Sequence, residues 1–335
     1  MTGIAVAGNA ILDLYKVIDS YPSPSALTSV RSVTPAPGGL LCNCAIDLAR
    51  LDPELRIPVV GLVGDDANGD YLLDQLRRYP GIDTSQLGRA GQTSFTDVME
   101  DPVGKTRTFF QFRGANDLLD IEHVDFDALD VDLLHIGYLL LLGALDSSDA
   151  EYGTRLARLL AEARRRGVKT SIDIVSEQSD RFARLVPPAL AHVDYCVINE
   201  LEASRTTGVE LTATDGRLAE ADLRRAAEAL LAMGVSTWVV IHWPGGAAGL
   251  AADGEWQLLP SVLVDPALIK TTTGAGDAFA SGVLYAAWAG RGLTEAMEAG
   301  IGAAAGSLLA ANATDGVGSY AEVLARYRTA PHRPL

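Results

Sequence analysis

The distribution of apolar and polar positions divides the chain into a β-rich first part and a second part in which strands and helices alternate. Short apolar runs typical of buried strands occupy residues 3–8 and 56–64. Between them, residues 38–51 carry apolar side chains at helical spacing behind two glycines. Residues 93–114 alternate and turn at an Asp-Pro-Val-Gly sequence, which predicts a hairpin.

From residue 133 onward the pattern is strand, helix, strand. It predicts strands at residues 133–137, 169–175, 194–199 and 236–243, and helices at residues 151–167, 179–191, 216–234, 277–289, 294–311 and 320–327. Such alternation is typical of a mostly parallel sheet with helices on both faces. We therefore predict one α/β domain over residues 1–335, with a small β-sheet appendage formed by about residues 10–35 and 92–115.

Composition and charge narrow the classes of function. With 335 residues, 48% of them hydrophobic, the chain can bury a large core. Its net charge of −16 argues against non-specific binding to nucleic acid or to an anionic membrane, both of which need a positive face. It still allows a phosphate-bearing ligand that is held by backbone N–H groups and a metal ion.

Nothing in the sequence resembles a targeting or membrane segment. The N-terminus lacks a basic region before its first apolar run, and the apolar run at residues 133–145 is too short for a membrane span. Cys42, Cys44 and Cys196 are an odd, small number of cysteines, so we expect reduced thiols and a cytoplasmic protein. Because no second Cys/His pair stands at ligand spacing, Cys42 and Cys44 are interpreted as small buried residues.

Two nucleotide-binding patterns are incomplete. Val-Gly-Lys-Thr at residues 103–106 ends like a P-loop, but Met99 stands where that motif needs its first glycine, so a hairpin turn with an exposed Lys105 is predicted. Gly-Ile-Gly-Ala-Ala-Ala-Gly at residues 300–306 follows no strand and lies in a helical run, which favours close helix packing.

Residues 268–290, LIKTTTGAGDAFASGVLYAAWAG, place small residues and one carboxylate where a helix begins. Gly274, Ala275 and Gly276 would leave backbone N–H groups free at the positive end of that helix, which makes an anion hole. Asp277 would then lie beside the bound anion, where it can accept a proton from an attacking hydroxyl. The alternative is that Asp277 serves only as a favourable first-turn charge.

The segment TTTGAGDAFASGVL resembles the C-terminal signature of the PfkB (ribokinase-like) carbohydrate kinases. PGGLLCNCAIDLARL is similar to the N-terminal signature of that family, and further similar segments follow in the family's order: RGAND, NELE and GAAG. The resemblance covers residues 4–319. It implies a three-layer α/β/α sandwich of the ribokinase type, with a mostly parallel sheet and a small β-sheet lid over the acceptor.

The resemblance also implies roles for individual residues. Asp277 would be the general base, and Gly274, Ala275 and Gly276 the anion hole. The cofactor ATP would lie against a second group, in which Asn199 and Glu202 approach Mg²⁺ through water: Asn199, Glu202, Gly246, Gly249 and Thr273.

Four residues of the first part match the acceptor-binding positions of the family: Asp13, Gly38, Gly39 and Asn43. The carboxylate can accept two sugar hydroxyls, the amide can donate and accept, and the glycines leave room for a ring. Each has a structural alternative, since Asp13 can be a turn residue, the glycines a tight loop and Asn43 a helix cap.

The sequence departs from the family at Thr271, where an aspartate usually stands beside the monovalent-cation site, so activation by potassium is not expected. The acidic sugar contact of a typical ribokinase is also missing after the strand at 133–137, where His135 or Tyr138 can face the substrate or belong to the core. The lid carries the charged residues Asp97, Arg107 and Arg113; an arginine there can meet an acidic or phosphorylated acceptor, and the alternative is that these charges are solvated strand faces.

The leading hypothesis is an ATP-dependent kinase of a sugar or sugar-like alcohol. A nucleoside kinase is the alternative within the family, because lid aromatics could hold a base: Phe95, Phe109, Phe110 and Phe112. A non-catalytic sugar-binding relative is the alternative of another class. We also expect that the edge of the lid can pair with a second copy to form a homodimer.

Overall fold

The computed structural model describes residues 2–104, 106–176, 180–212 and 217–335. Its strands are β1 (Ile4–Gly8), β2 (Ile11–Ile18), β3 (Val30–Gly38), β4 (Ile57–Val63), β5 (Ile82–Arg89), β6 (Phe95–Asp101), β7 (Thr106–Phe112), β8 (Leu133–Leu139), β9 (Ser148–Asp149), β10 (Gly153–Thr154), β11 (Lys169–Ile174), β12 (Tyr195–Asn199), β13 (Trp238–Trp243), β14 (Gly246–Ala251) and β15 (Trp256–Pro260). Its α-helices are α1 (Gly39–Leu51), α2 (Ala67–Leu76), α3 (Arg155–Arg165), α4 (Phe182–Leu190), α5 (Glu200–Thr207), α6 (Glu220–Ala232), α7 (Ala275–Trp288), α8 (Leu293–Ser307) and α9 (Tyr320–Thr329).

The main sheet has nine strands in the order β15-β14-β13-β12-β11-β8-β1-β4-β5. The strands from β13 to β5 run parallel, and β14 and β15 add an antiparallel edge. Helices α1, α2, α7, α8 and α9 pack on one face and α3 to α6 on the other, each set over its own apolar cluster. The predicted three-layer α/β/α architecture is thus confirmed.

A second sheet of four strands, in the order β3-β2-β6-β7, stands apart from the first. Its central pair, β2 and β6, is parallel, and the outer pairs are antiparallel. Phe109 and Phe110 of β7 each expose 55% of their surface. Association of two copies through this sheet stays a prediction.

Several helices are shorter than predicted. Helix α3 begins at Arg155 because the Thr154 hydroxyl accepts the N–H of Ala157 at 3.1 Å and caps the helix there. Helix α4 ends at Leu190 and α8 at Ser307. Three residues of predicted elements, Lys105, Ser179 and Gly216, lie outside the described residues. Among the described helices, none is both long and apolar enough to cross a membrane.

Close packing explains the glycine-rich run at 300–306. A Cβ on Gly300 would lie 2.9 Å from the carbonyl oxygen of Phe279 in α7, and one on Gly302 would overlap the carbonyl of Val323 in α9. These glycines let three helices approach backbone to backbone. The predicted close helix packing at these glycines is thereby confirmed.

Substitution of Gly302 by Ala should destabilise the protein, because the added methyl has to push α8 away from α9. We expect a loss of about 1–3 kcal/mol in the free energy of unfolding, measured by chemical denaturation.

Gly292→Ala is the control, since a Cβ there meets no heavy atom within 4 Å. A Gly302→Ala variant as stable as Gly292→Ala would contradict the packing argument.

Candidate active site

The chemically distinctive residues meet at the carboxyl ends of the parallel strands, where open α/β sheets bind their ligands. Four of these residues lie at or near the last position of their strands: Tyr138 in β8, Asp173 in β11, Asn199 in β12 and His242 in β13. The first turn of α7 brings Asp277 to the same edge.

The start of α7 is built as an anion hole. Gly274 has φ +81° and precedes the helix without any side-chain cap, and a Cβ at this position would lie 2.5 Å from Cβ of Ala313. Among the described residues, the N–H groups of Gly276 and Asp277 have no acceptor. Free N–H groups at the positive end of a helix attract an anion.

Asp277 is buried and held by two donors. Asn43 Nδ2 donates to its Oδ2 at 2.8 Å, and the Tyr138 hydroxyl lies 2.9 Å from Oδ1 and 2.8 Å from Oδ2. Burial raises the pKa of Asp277 to about 6, while the hydrogen bonds from Asn43 and Tyr138 oppose the rise. The carboxylate is therefore ionised at neutral pH but basic enough to accept a proton.

Of the four predicted acceptor residues, Asn43 contacts Asp277 and Asp13 lies near enough to feel its charge, while Gly38 and Gly39 adjoin Asp13 and Asn9. Asp13 is buried, and burial raises its pKa to about 7, with a smaller contribution from the charge of Asp277. Gly38 leaves room for this carboxyl, because a Cβ there would overlap Asp13 Oδ2. Gly39 has φ +75° beside the carbonyl of Asn9, a position that suits only glycine. Asn43 begins no helix and caps none; its amide serves Asp277.

A cavity of about 400 Å³ opens on the other side of the anion hole. Thr272, Ala275 and Gly276 line its floor, and the remaining wall includes Asn199, His242, Trp243, Gly246, Phe279 and Ala305. The structure does not bring all predicted nucleotide residues there. Gly249 packs beneath Leu293 and Met297 of α8, and Thr272 rather than Thr273 lines the cavity.

Asn199 and Glu202 form a reciprocal cap at the start of α5. Glu202 accepts from Asn199 N at 3.0 Å, from Asn199 Nδ2 at 2.7 Å and from the Ser176 hydroxyl at 2.7 Å, so its oxygens are largely satisfied within the protein. Burial raises the pKa of Glu202 to about 7. Burial, followed by the charges of Glu202 and Asp277, raises the pKa of Asp173 well above its usual value. Among the described residues, no group of three or more His, Cys, Asp or Glu side chains is placed to hold a metal ion, so a cation here would have to be bound through water.

The small sheet touches the loop before α7 through Arg107. Its Nη1 donates to Thr271 Oγ1 at 2.7 Å, and its Nη2 pairs with Glu100 at 2.7 Å. The other two charged lid residues named in the sequence analysis form local ion pairs. Asp97 pairs with Lys16 at 2.6 Å, and Arg113 pairs with Asp117 at 2.6 Å.

The structure separates His135 from Tyr138, for both of which the sequence left a substrate-facing and a core position open. His135 belongs to the core, where burial lowers its pKa to about 4 and Nδ1 lies 3.1 Å from the Ser171 hydroxyl. Tyr138 touches Asp277. His242 was not predicted as a site residue, although its position at the end of a predicted strand could have indicated one. Its ring centroid lies 4.6 Å from that of Phe279.

The model of the pfkB family carbohydrate kinases matches residues 1–317. The chain belongs to this family. As a family member it is a phosphotransferase with an alcohol group as acceptor.

Individual relatives of this pfkB-family kinase are distant. The 5-dehydro-2-deoxygluconokinase of Shouchella clausii is 26% identical over 311 residues, covering 89% of this chain and 86% of that protein. Ribokinase from Thermotoga maritima superposes with a TM-score of 0.77 at 22% identity, covering 98% of this chain and all of that one (100%). Arabidopsis thaliana ribokinase, solved with ribose and ATP, gives 0.78 at 20% identity, covering 98% and 99%. These structures confirm the ribokinase fold.

Replacing Tyr138 by Phe should raise the pKa of Asp277 above about 6, because the lost hydroxyl stabilises the ionised carboxylate. Since the base must be ionised, the acid limb of the pH profile of kcat/KM should move to higher pH, by roughly 0.5 unit.

Tyr285→Phe provides the matched control, because its hydroxyl donates to Asp52 at 2.9 Å, away from Asp277. Equal profiles for the two variants would rule out the electrostatic role of Tyr138.

Proposed function

We propose that this pfkB-family kinase transfers the γ-phosphoryl group of ATP to a hydroxyl of a sugar or sugar-like alcohol, with Asp277 as general base. The observation that carries the proposal is the position of Asp277. Its buried carboxylate has Asn43 and Asp13 on one side and, on the other, stands in the first turn of a helix whose start carries free N–H groups and lines a cavity of about 400 Å³.

The two sides have different chemistry. On one side, Asp13 and Asn43 offer a carboxylate and an amide, which suit vicinal hydroxyls. On the other, apolar walls such as Val262, Ile301 and Ala305 suit a planar base. An acceptor and ATP bound in these sides would meet at Asp277.

The proposed step needs one proton transfer and one phosphoryl transfer. Asp277 accepts the proton of the acceptor hydroxyl while the hydroxyl oxygen bonds to the γ-phosphorus and the bond from that phosphorus to the β–γ bridging oxygen breaks. Gly276, one of the predicted anion-hole residues, provides together with Asp277 the free N–H groups that would hold the phosphoryl oxygens, whereas the N–H of Ala275 donates to Thr272 O at 3.4 Å. The ADP leaves with the bridging oxygen.

The acidic residues beside the cavity fit Mg²⁺. Asn199 and Glu202, with Asp173 close to them, would hold the ion through water, because the Glu202 oxygens already accept hydrogen bonds. When bound, the ion would offset the negative charge of the phosphate oxygens.

The small sheet is proposed as the lid. Its contact from Arg107 to Thr271 ties β7 to the loop that precedes the anion hole, so closure of the sheet and alignment of that loop are coupled. A closed lid would exclude water from the transferred phosphoryl group.

Asp277→Asn should lower kcat by a factor of about 10²–10⁴, the usual contribution of a general base. ADP release would be followed with Mg-ATP and a panel of ketoses, aldoses, sugar acids and nucleosides. Sugar acids are included because the Shouchella clausii relative is named for one. Binding of ATP to the variant, measured by calorimetry, should be retained.

Asp253→Asn serves as the control, since Asp253 is exposed and lies in the loop between β14 and β15. Turnover only with nucleosides would replace the sugar-kinase proposal by the nucleoside kinase. Saturable sugar binding with no turnover would favour a binding protein.

Potassium should not be needed. Thr271 is a neutral residue at this position, and its hydroxyl already accepts from Arg107 at 2.7 Å and from Thr273 N at 3.1 Å. Replacing potassium by tetramethylammonium should therefore change kcat/KM by less than about twofold. A larger, saturable activation by potassium would contradict this.

A further inference from the structure

Helices α1 and α7 run parallel in direct contact. Asn43 contacts Asp277 near their starts, and Tyr285 donates to Asp52 at 2.9 Å near their ends. Asp47 follows Asn43 by one helical turn, and Ser281 follows Asp277 by one turn. Both side chains therefore belong to the interface between the two helices, behind the base.

These side chains are buried and lack partners. Asp47 is 0% exposed, Ser281 1% and Asn43 3%. No described residue hydrogen-bonds to Asn43 Oδ1, to either carboxyl oxygen of Asp47 or to Ser281 Oγ. Buried polar atoms are almost always paired, so this cluster calls for an explanation.

A count of donors explains it. If Asp47 is ionised, the donors of this region are the Ser281 hydroxyl and Arg50 Nε, neither of which hydrogen-bonds to Asp47 or to Asn43 Oδ1, so three oxygens need a hydrogen bond. If Asp47 carries a proton, its own O–H can donate to Asn43 Oδ1, one turn earlier on the same face of α1. The proton supplies the donor that Asn43 Oδ1 lacks.

The charges around Asp47 also favour its protonated form. The cation nearest in sequence, Arg50, pairs with Asp315 at 2.7 Å and lies over the Tyr79 ring. Burial raises the pKa of Asp47 well above its usual value, the charge of Asp277 adds to the rise, and Arg50 opposes it. Cys44 also feels the charges of Asp277 and Asp47, and burial keeps its thiol neutral by raising its pKa well above the usual value.

We propose that Asp47 is a protonated carboxylic acid that donates to Asn43 Oδ1 and thereby fixes the Asn43 amide with its N–H on Asp277. Asp47 is thus a positioning residue. The reversed amide would set Oδ1 against the Asp277 carboxylate and repel its charge. The functional part of this proposal rests on the proposed role of Asp277 as the base.

The kinetic test compares Asp47→Asn with Asp47→Ala. Asparagine keeps the shape and an N–H donor for Asn43 Oδ1, so kcat/KM and its pH profile should match the unchanged protein within about twofold. Alanine removes the donor, and the acid limb of kcat/KM should move to higher pH by about 0.5–1 unit as the pKa of Asp277 rises.

Asn43→Ala should move the acid limb in the same direction, and the double variant Asn43→Ala/Asp47→Ala should move it no further, because both act through one hydrogen bond. Thermal unfolding and ATP binding of each variant would separate this effect from misfolding. An alanine variant with the unchanged profile, an asparagine variant that behaves like alanine, or additive shifts would overturn the proposal.

A spectroscopic test needs no turnover. The infrared difference spectrum between the unchanged protein and Asp47→Asn at pH 7 should contain the C=O stretch of a protonated carboxylic acid. Carboxylate bands instead would show an ionised Asp47 and overturn the inference even in an active kinase. A protonated Asp47 in a protein that turns over no acceptor would contradict the proposed function alone.

Discussion

The candidate site depends on two opposite effects on the pKa of Asp277. Removal of the carboxyl from water raises the pKa, and the hydrogen-bond donors that replace the water lower it. Burial by itself would neutralise a carboxyl and leave it useless as a base near neutral pH. Asn43 from α1 and Tyr138 from β8 return part of the lost stabilisation, which leaves the pKa of Asp277 at about 6. Three elements far apart in the chain must meet within hydrogen-bonding distance for this to happen, so the tight packing of the fold is a condition of the chemistry.

The same edge of the sheet concentrates other buried acids. Burial raises the pKa of Asp13, Glu202 and Asp173, and each also feels the charge of a neighbouring carboxyl. A protein with only stability to maintain would gain by replacing such groups with apolar residues. Their presence at one place fits a site that receives hydroxyls, which supply hydrogen bonds, and a cation, which supplies the positive charge that the acids lack.

Much of this could be predicted from the sequence, for identifiable reasons. The alternation of strand and helix patterns predicts a parallel sheet, and the Gly-Ala-Gly before Asp277 predicts a helix start with free N–H groups. Contacts between distant segments could not be predicted in this way. No local pattern indicates that Tyr138 reaches Asp277 rather than the core, or that Gly249 packs under α8 while Gly246 lines the cavity.

Asp47 illustrates the same limit from another side. Within α1, an aspartate among apolar residues suggests an exposed position. It is instead fully buried, and α1 packs against α7 as well as against the main sheet. The spacing of apolar residues within α1 indicates a helix, but it cannot indicate that the helix will pack against α7, more than two hundred residues later in the sequence.

The parallel pairing of α1 with α7 also has a consequence for how the protein is made. The residues proposed to bind the acceptor leave the ribosome early, whereas Asp277 and the helix that carries it are synthesised after the whole sheet. Until then one apolar side of α1 has no partner, although every residue of that helix except Arg50 is buried in the finished protein. A nascent chain therefore exposes this apolar surface through most of its synthesis, and α7 covers it and brings Asp277 to Asn43 in the same step.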